Sequence, residues 1–175
     1  MPDVDPLYTF AELAITMVGV SGIVAVFRGH GSIHPADQFR FYMIVFVGML
    51  ATVAAFLPTW VDNFVDDAET LWQVCAGVVL AGQVTANPIL VRHARVSGVF
   101  QMLWASATTP FLIVMFSLLT IAVTANLANI IAWPFGANQI LYEVVLMTAI
   151  LQMALQFLSL VAFRIENEMP PQIKG

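Results

Sequence analysis

All six basic residues of this 175-residue chain fall in alternate gaps between long apolar runs. Arg28 and Arg40 lie in the first gap, Arg92 and Arg95 in the third, and Arg164 and Lys174 in the C-terminal tail. The N-terminal tail carries Asp3 and Asp5 instead, and the second gap carries Asp62, Asp66, Asp67 and Glu69. Six basic residues would sort to one side by chance about once in thirty tries, whereas short cytoplasmic loops collect Lys and Arg. The pattern predicts an all-α integral membrane protein: a bundle of five transmembrane helices, N-terminus outside, C-terminus cytoplasmic.

The spans are expected at about residues 7–27, 39–61, 70–91, 104–131 and 140–163. The first three are near the ~20 residues that cross a hydrocarbon layer as a helix, the one open segment that satisfies its own backbone groups in lipid. The fourth run, from Gln101 to Ile131, is too long for a perpendicular crossing, and Pro110 predicts a kink, a tilt or an interfacial first turn. Tyr8, Trp60, Trp72, Trp133 and Tyr142 fall at expected outer ends, and Tyr42 and Trp104 near inner ends, where headgroups favour such rings. The first run follows acids and prolines, not a basic segment, so it reads as an uncleaved span.

Composition supports one membrane domain over residues 1–175. The chain is 60% hydrophobic and 10% charged, where soluble domains carry about a quarter charged residues. No basic patch interleaved with aromatics points to nucleic acid. The single cysteine, Cys75, allows no internal disulfide and reads as a small buried apolar residue. The first and third gaps both open with an arginine near a histidine (Arg28/His30, Arg92/His93), a similarity too short to establish a repeat.

Glu12 is the sharpest chemical signal, because an ionisable group one turn inside a span is costly in lipid and usually faces a bundle interior or water. Thr16, Gly19 and Ile23 share its face at helical spacing. That column suits a cation or proton site with backbone access at Gly19. The plainer reading is a carboxylate reaching the outer headgroups, with Gly19 and Gly22 serving close helix packing. Glu143 in the fifth span complements a helix N-terminus. The same span carries Thr148, Gln152, Gln156 and Ser159 on one face, either as interhelical glue or as a wet lining. Weaker columns are Gly48/Thr52/Thr59, Gln73/Gly77/Asn87 and Ser117/Thr120/Thr124. The acids Asp62, Asp66, Asp67 and Glu69 form either a solvated loop or, in a ring of subunits, a cation-concentrating outer mouth. His30, His34 and His93 lack a completing acid cluster, and none lies mid-span as a haem ligand would. No nucleophile–base pair, phosphate loop or metalloprotease pattern occurs, so neither an enzyme nor a cofactor or metal site is expected.

The stretch Phe10 to Arg28, FAELAITMVGVSGIVAVFR, resembles the first span of small uncharacterised bacterial inner-membrane proteins. Shared features are the early glutamate, a threonine one turn on, a Gly-x-Ser-Gly element and a closing arginine. Asp37-Gln-Phe-Arg40-Phe is similar to the same group. The resemblance covers the first third of the chain and implies a bacterial plasma-membrane location, with no activity attached.

Three functions are weighed. The first is a homo-oligomer that conducts or moves a cation or proton, its path running between subunits. The alternative is a non-catalytic accessory or scaffold subunit of a larger membrane complex. The third is a lipid or cofactor binder, with Met17, Met43, Met49, Met102, Met115, Met147 and Met153 lining an apolar cleft. The partners are the lipid bilayer and a second copy or another membrane protein.

Overall fold

Asparagine, aspartate and proline punctuate five helices: α1 (Val4–Arg28), α2 (Pro35–Val61), α3 (Ala68–Val96), α4 (Thr109–Ile130) and α5 (Gln139–Glu168). The structure, a computed structural model, describes residues 4–28, 35–96, 109–132 and 136–168. His30, His34, Gln101, Met102, Trp104, Trp133 and the C-terminal Lys174 lie outside the described residues, as does Asp3. All five helices are long and apolar enough to cross a membrane.

The helix starts follow from side chains that accept orphan N–H groups. The backbone N–H of Thr70 donates to Asp67 Oδ2 at 2.8 Å, and the Thr70 hydroxyl donates to the same oxygen at 2.7 Å. Leu141 N–H donates to Asn138 Oδ1 at 3.0 Å, capping α5. Pro35 opens α2 and Pro110 sits in the first turn of α4, where a missing N–H removes no helical bond. The expected interfacial turn before Pro110 falls among residues outside the described set. Two residues past the end of α4 comes Ala132, whose φ of 51° is the left-handed conformation that usually terminates a helix on glycine.

The helices form a ring crossed by one main and one minor contact. Neighbours in the ring are α1·α2, α2·α3, α3·α4, α4·α5 and α5·α1, α2 also packs on α5, and α3 touches α5 more lightly. Among the described residues α1 meets neither α3 nor α4. One end of the ring, the acidic end, carries the loop from Asp62 to Asp67. There Gly136, in the α4–α5 turn at φ +77°, lies so close to Glu69 that a Cβ would sit 3.9 Å from Oε1. Arg92 and Arg95 mark the opposite, basic end.

Two cores stack along the ring axis. In the first, all five helices contribute: Leu7 and Ala11, Ala54 and Ala55, Leu71 and Cys75, Ala122 and Ala125, and Tyr142 with Leu146. In the second, only α1, α2 and α5 meet, through Ala14, Ile44, Ala51 and Met153. Small residues at these contacts let backbones approach, which is the main attraction available between helices in lipid. Gly48 shows how close they come. A Cβ there would overlap Val18 Cγ2, stand 2.7 Å from Met153 Cε and lie 3.5 Å from the Ala14 carbonyl oxygen.

Tyr142 and Trp72 lie in the first turns of their helices, where the aromatic pattern puts them, but both turn into the bundle. Tyr142 is fully buried and Trp72 nearly so, with ring centroids 5.6 Å apart at 46°. The reason lies in α2. Pro58 has no N–H, so the Ala54 carbonyl loses its helical partner. The Tyr142 hydroxyl donates to that carbonyl at 2.7 Å. An unpaired carbonyl inside a membrane helix must find a donor, and Tyr142 supplies it from α5. Trp60, 55% exposed, does face outward. Arg40, expected as a loop charge, is instead buried at 4% exposure in the first turns of α2.

Candidate functional site

Helix α1 turns its polar column away from the bundle. Glu12, Thr16, Gly19 and Ile23 are all exposed, while Leu7, Ala11, Ala14 and Ser21 face inward. The inward serine needs no partner from another helix, because its hydroxyl donates to Met17 O at 2.7 Å. Nothing in the bundle stands within 4 Å of a Cβ placed on Gly19 or Gly22. Of the two placements expected for the Glu12/Gly19 face, inside the bundle or inside an oligomer, the first does not hold: a helix has one buried stripe, and Leu7/Ala11/Ala14 occupy it. Glu12 stands about 10 Å along the helix from Asp5, where the apolar segment begins.

The acidic loop is a solvated edge with one structural member. Asp62, Asp66, Asp67 and Glu69 are exposed. Hydrogen bonds from the Thr70 backbone and hydroxyl hold the Asp67 carboxyl below its ordinary value of 3.8. Asp67 is thus tied up as a cap, and Asp62, Asp66 and Glu69 remain to shape the potential at this end.

Of the α5 residues, Glu143 is half-buried and accepts a 2.7 Å hydrogen bond from Gln139 Nε2 one turn earlier. It lies in the second turn of the helix, past the positions that the dipole argument favours. Thr148 is buried, and Gln152, Gln156 and Ser159 are half-buried, so this face points into protein. The hydroxyls of Thr148 and Ser159 donate to the carbonyls of Val145 and Gln156, at 2.7 and 3.1 Å. In contrast, Ser117, Thr120 and Thr124 are exposed on the outer face of α4. The described methionines do not line one cleft: Met49 and Met147 are exposed, Met153 is buried in the second core with Met17 packed against it, and of them Met43 borders the interior cleft.

That cleft opens between α2 and α5 on one side and α3 and α4 on the other, with a volume of about 70 Å³. Its wall is mostly apolar. Four uncharged polar side chains enter it: Gln83, Asn87, Thr148 and Gln152. Behind Gln83 stands Asn126, fully buried, whose Nδ2 donates to Gln83 Oε1 at 3.2 Å. One turn toward the acidic end, Asn129 accepts the Asn138 backbone N–H at 2.9 Å and so ties α4 to the start of α5. Asn126 Oδ1 and Asn129 Nδ2 are buried without a protein partner.

Sequence reasoning passed over Gln83, Asn126, Asn129 and Asn138. The signals were present: Gln83 and Asn87 are one turn apart, and Asn126 and Asn129 share a face in an otherwise apolar run. Serine and threonine columns stand out instead, although the hydroxyls of Thr52, Thr120, Thr148 and Ser159 close on their own helices. Among the described residues no group of three His, Cys, Asp or Glu side chains could hold a metal ion. No protein-family model, curated protein or solved structure matches the chain.

Proposed function

We propose that the protein is a homo-oligomeric channel or transporter for a cation or proton in a bacterial inner membrane. In this reading α1 faces the symmetry axis, the N-terminus lies outside and the C-terminus in the cytoplasm. One observation carries it: Glu12, Thr16 and Gly19 point out of the bundle, whereas among the described residues no charged side chain lines the cleft inside it. A carboxylate about 10 Å inside the apolar segment of α1 is penalised by kilocalories per mole if left facing acyl chains. Its side chain is too short to reach the interface as lysine and arginine do. Copies of α1 around an axis would gather these carboxylates along one path, with Thr16 below them and Gly19 opening the backbone. The exposed Asp62, Asp66 and Glu69 would raise cation concentration at the outer mouth.

The test is ion flux into liposomes carrying the purified protein, alongside its oligomeric state. A ring with flux, and Glu12→Gln reducing flux by tenfold or more at unchanged assembly and thermal stability, supports the reading. A monomer without flux that co-purifies with other membrane subunits favours the alternative, an accessory or scaffold subunit using the same α1 face. Unchanged flux in Glu12→Gln returns that residue to a role at the lipid surface.

A further inference from the structure

We propose that the cleft between α2, α3, α4 and α5 binds an uncharged, hydroxyl-bearing amphiphile taken from the lipid phase. This site is separate from the α1 face and does not depend on the channel reading.

The class of ligand follows from what the wall offers. Among the described residues no acid or base lines the cleft, so none of them would meet a phosphate or an ammonium group. Apolar side chains make up most of the wall, among them Met43, Leu50 and Leu119, which suits a hydrocarbon tail. Phe46 also lines the cleft and is 37% exposed, so the cleft reaches the bundle surface, where lipid can enter. At about 70 Å³ the cleft is smaller than a pocket that encloses a whole ligand, so it seats the hydroxyl and the first carbons while the rest of the tail stays in lipid.

Those polar groups are pre-committed. Gln83 Oε1 accepts the bond from Asn126, which leaves the Gln83 amide N–H groups as the donor side. Thr148 has given its proton to the Val145 carbonyl, which leaves its hydroxyl oxygen able only to accept. A wall that offers a donor and an acceptor is matched by a ligand hydroxyl, which does both. Gln152 and Asn87 add further amides to the same wall. Asn126 is the second observation: a fully buried amide with its oxygen unpartnered. Such a group persists in an interior where it holds another side chain in place, here the Gln83 amide. A quinone carries acceptors alone and leaves Thr148 unmatched.

The probe is 1-monooctanoylglycerol added to the protein in lipid nanodiscs, with binding read by native mass spectrometry. One saturable site per chain is expected. Thr148→Val, which removes the acceptor and keeps the shape, should weaken binding about tenfold, the equivalent of one hydrogen bond. Ala149→Phe and Ala86→Phe, which fill the cleft from α5 and α3, should abolish it. Melting temperatures identify folded variants, and if Ala149→Phe fails to fold, Ala86→Phe at the half-buried rim supplies the same arm. Decylubiquinone and phosphatidylglycerol should not compete. Absence of saturable binding, equal binding by the folded variants, or effective competition by either lipid overturns the proposal.

Discussion

The two ends of the bundle are built differently. At the acidic end five helices close around Leu7, Leu71, Trp72, Cys75 and Tyr142. Toward the basic end, among the described residues, α1, α2 and α5 pack around Gly48, Ile44 and Met153. There α3 and α4 leave a cleft against α2 and α5. The difference traces to side-chain size and hydrogen bonding. Alanines and the Tyr142–Ala54 bond draw α2 and α5 toward α3 and α4 at one end. In the other half, Gln83, Asn87 and Gln152 occupy positions where small apolar residues would have closed the seam. Closure rests on contacts between small side chains in one half. In the other, polar groups hold a space open.

Substitution of leucines is the strongest way to break this comparison. Leu71→Ala removes a side chain 2% exposed in the closed half and should destabilise by about 2–4 kcal/mol. Leu119→Ala, at the wall of the cleft, already borders free space and should shift stability by less than about 1 kcal/mol. Unfolding midpoints in mixed micelles report both. Equal losses would mean that the cleft is as tightly packed as the core.

Gly48 tests the three-helix crossing. Gly48→Ala places a methyl against Val18 and Met153 and should destabilise by about 1–3 kcal/mol. Because the Met153 tip can swing while β-branched Val18 is stiff, Val18→Ala in the same chain should recover part of the loss. Gly19→Ala, with open space at its Cβ, should leave the isolated bundle unaffected.

A smaller effect isolates the link between α2 and α5. Tyr142→Phe orphans the Ala54 carbonyl and should lower stability by about 1–2 kcal/mol. With Pro58→Ala in place, the helix regains an N–H for that carbonyl, and the penalty for losing the hydroxyl should fall toward zero. Additive losses in this double-mutant cycle would disprove the pairing of proline and tyrosine.

The smallest effect is at the acidic loop. Asp67 has a lowered folded-state pKa because Thr70 bonds its carboxylate. Its contribution is therefore complete above the unfolded value and is lost as pH falls through the folded one, below about 3.8. Asp67→Ala should flatten the acid limb of the stability profile there, and Asp66→Asn should leave it unchanged.

Much of the frame was legible in the chain. Five apolar runs separated by short gaps gave five helices, with boundaries displaced by a few residues where caps such as Asp67 and Asn138 decided them. Helical spacing also placed Glu12, Thr16, Gly19 and Ile23 on one face of α1, and Thr148, Gln152, Gln156 and Ser159 on one face of α5. Spacing cannot say which way a face turns. In a soluble helix the polar face goes to water, but in a membrane bundle lipid and protein interior are both apolar, so the rule loses its sign. The two polar columns illustrate it, since the α1 column turns outward and the α5 column inward.

The sequence by itself determined the number of spans, their lengths and the segregation of charge, because backbone hydrogen bonding and hydropathy act locally along the chain. Only the tertiary structure decided that Tyr142 turns inward to serve the Ala54 carbonyl freed by Pro58, 88 residues away along the chain. It also decided that Asn126 pins Gln83 and that a cleft stays open beside them. Those outcomes depend on which helix stands next to which, and each is a long-range pairing that no local pattern specifies.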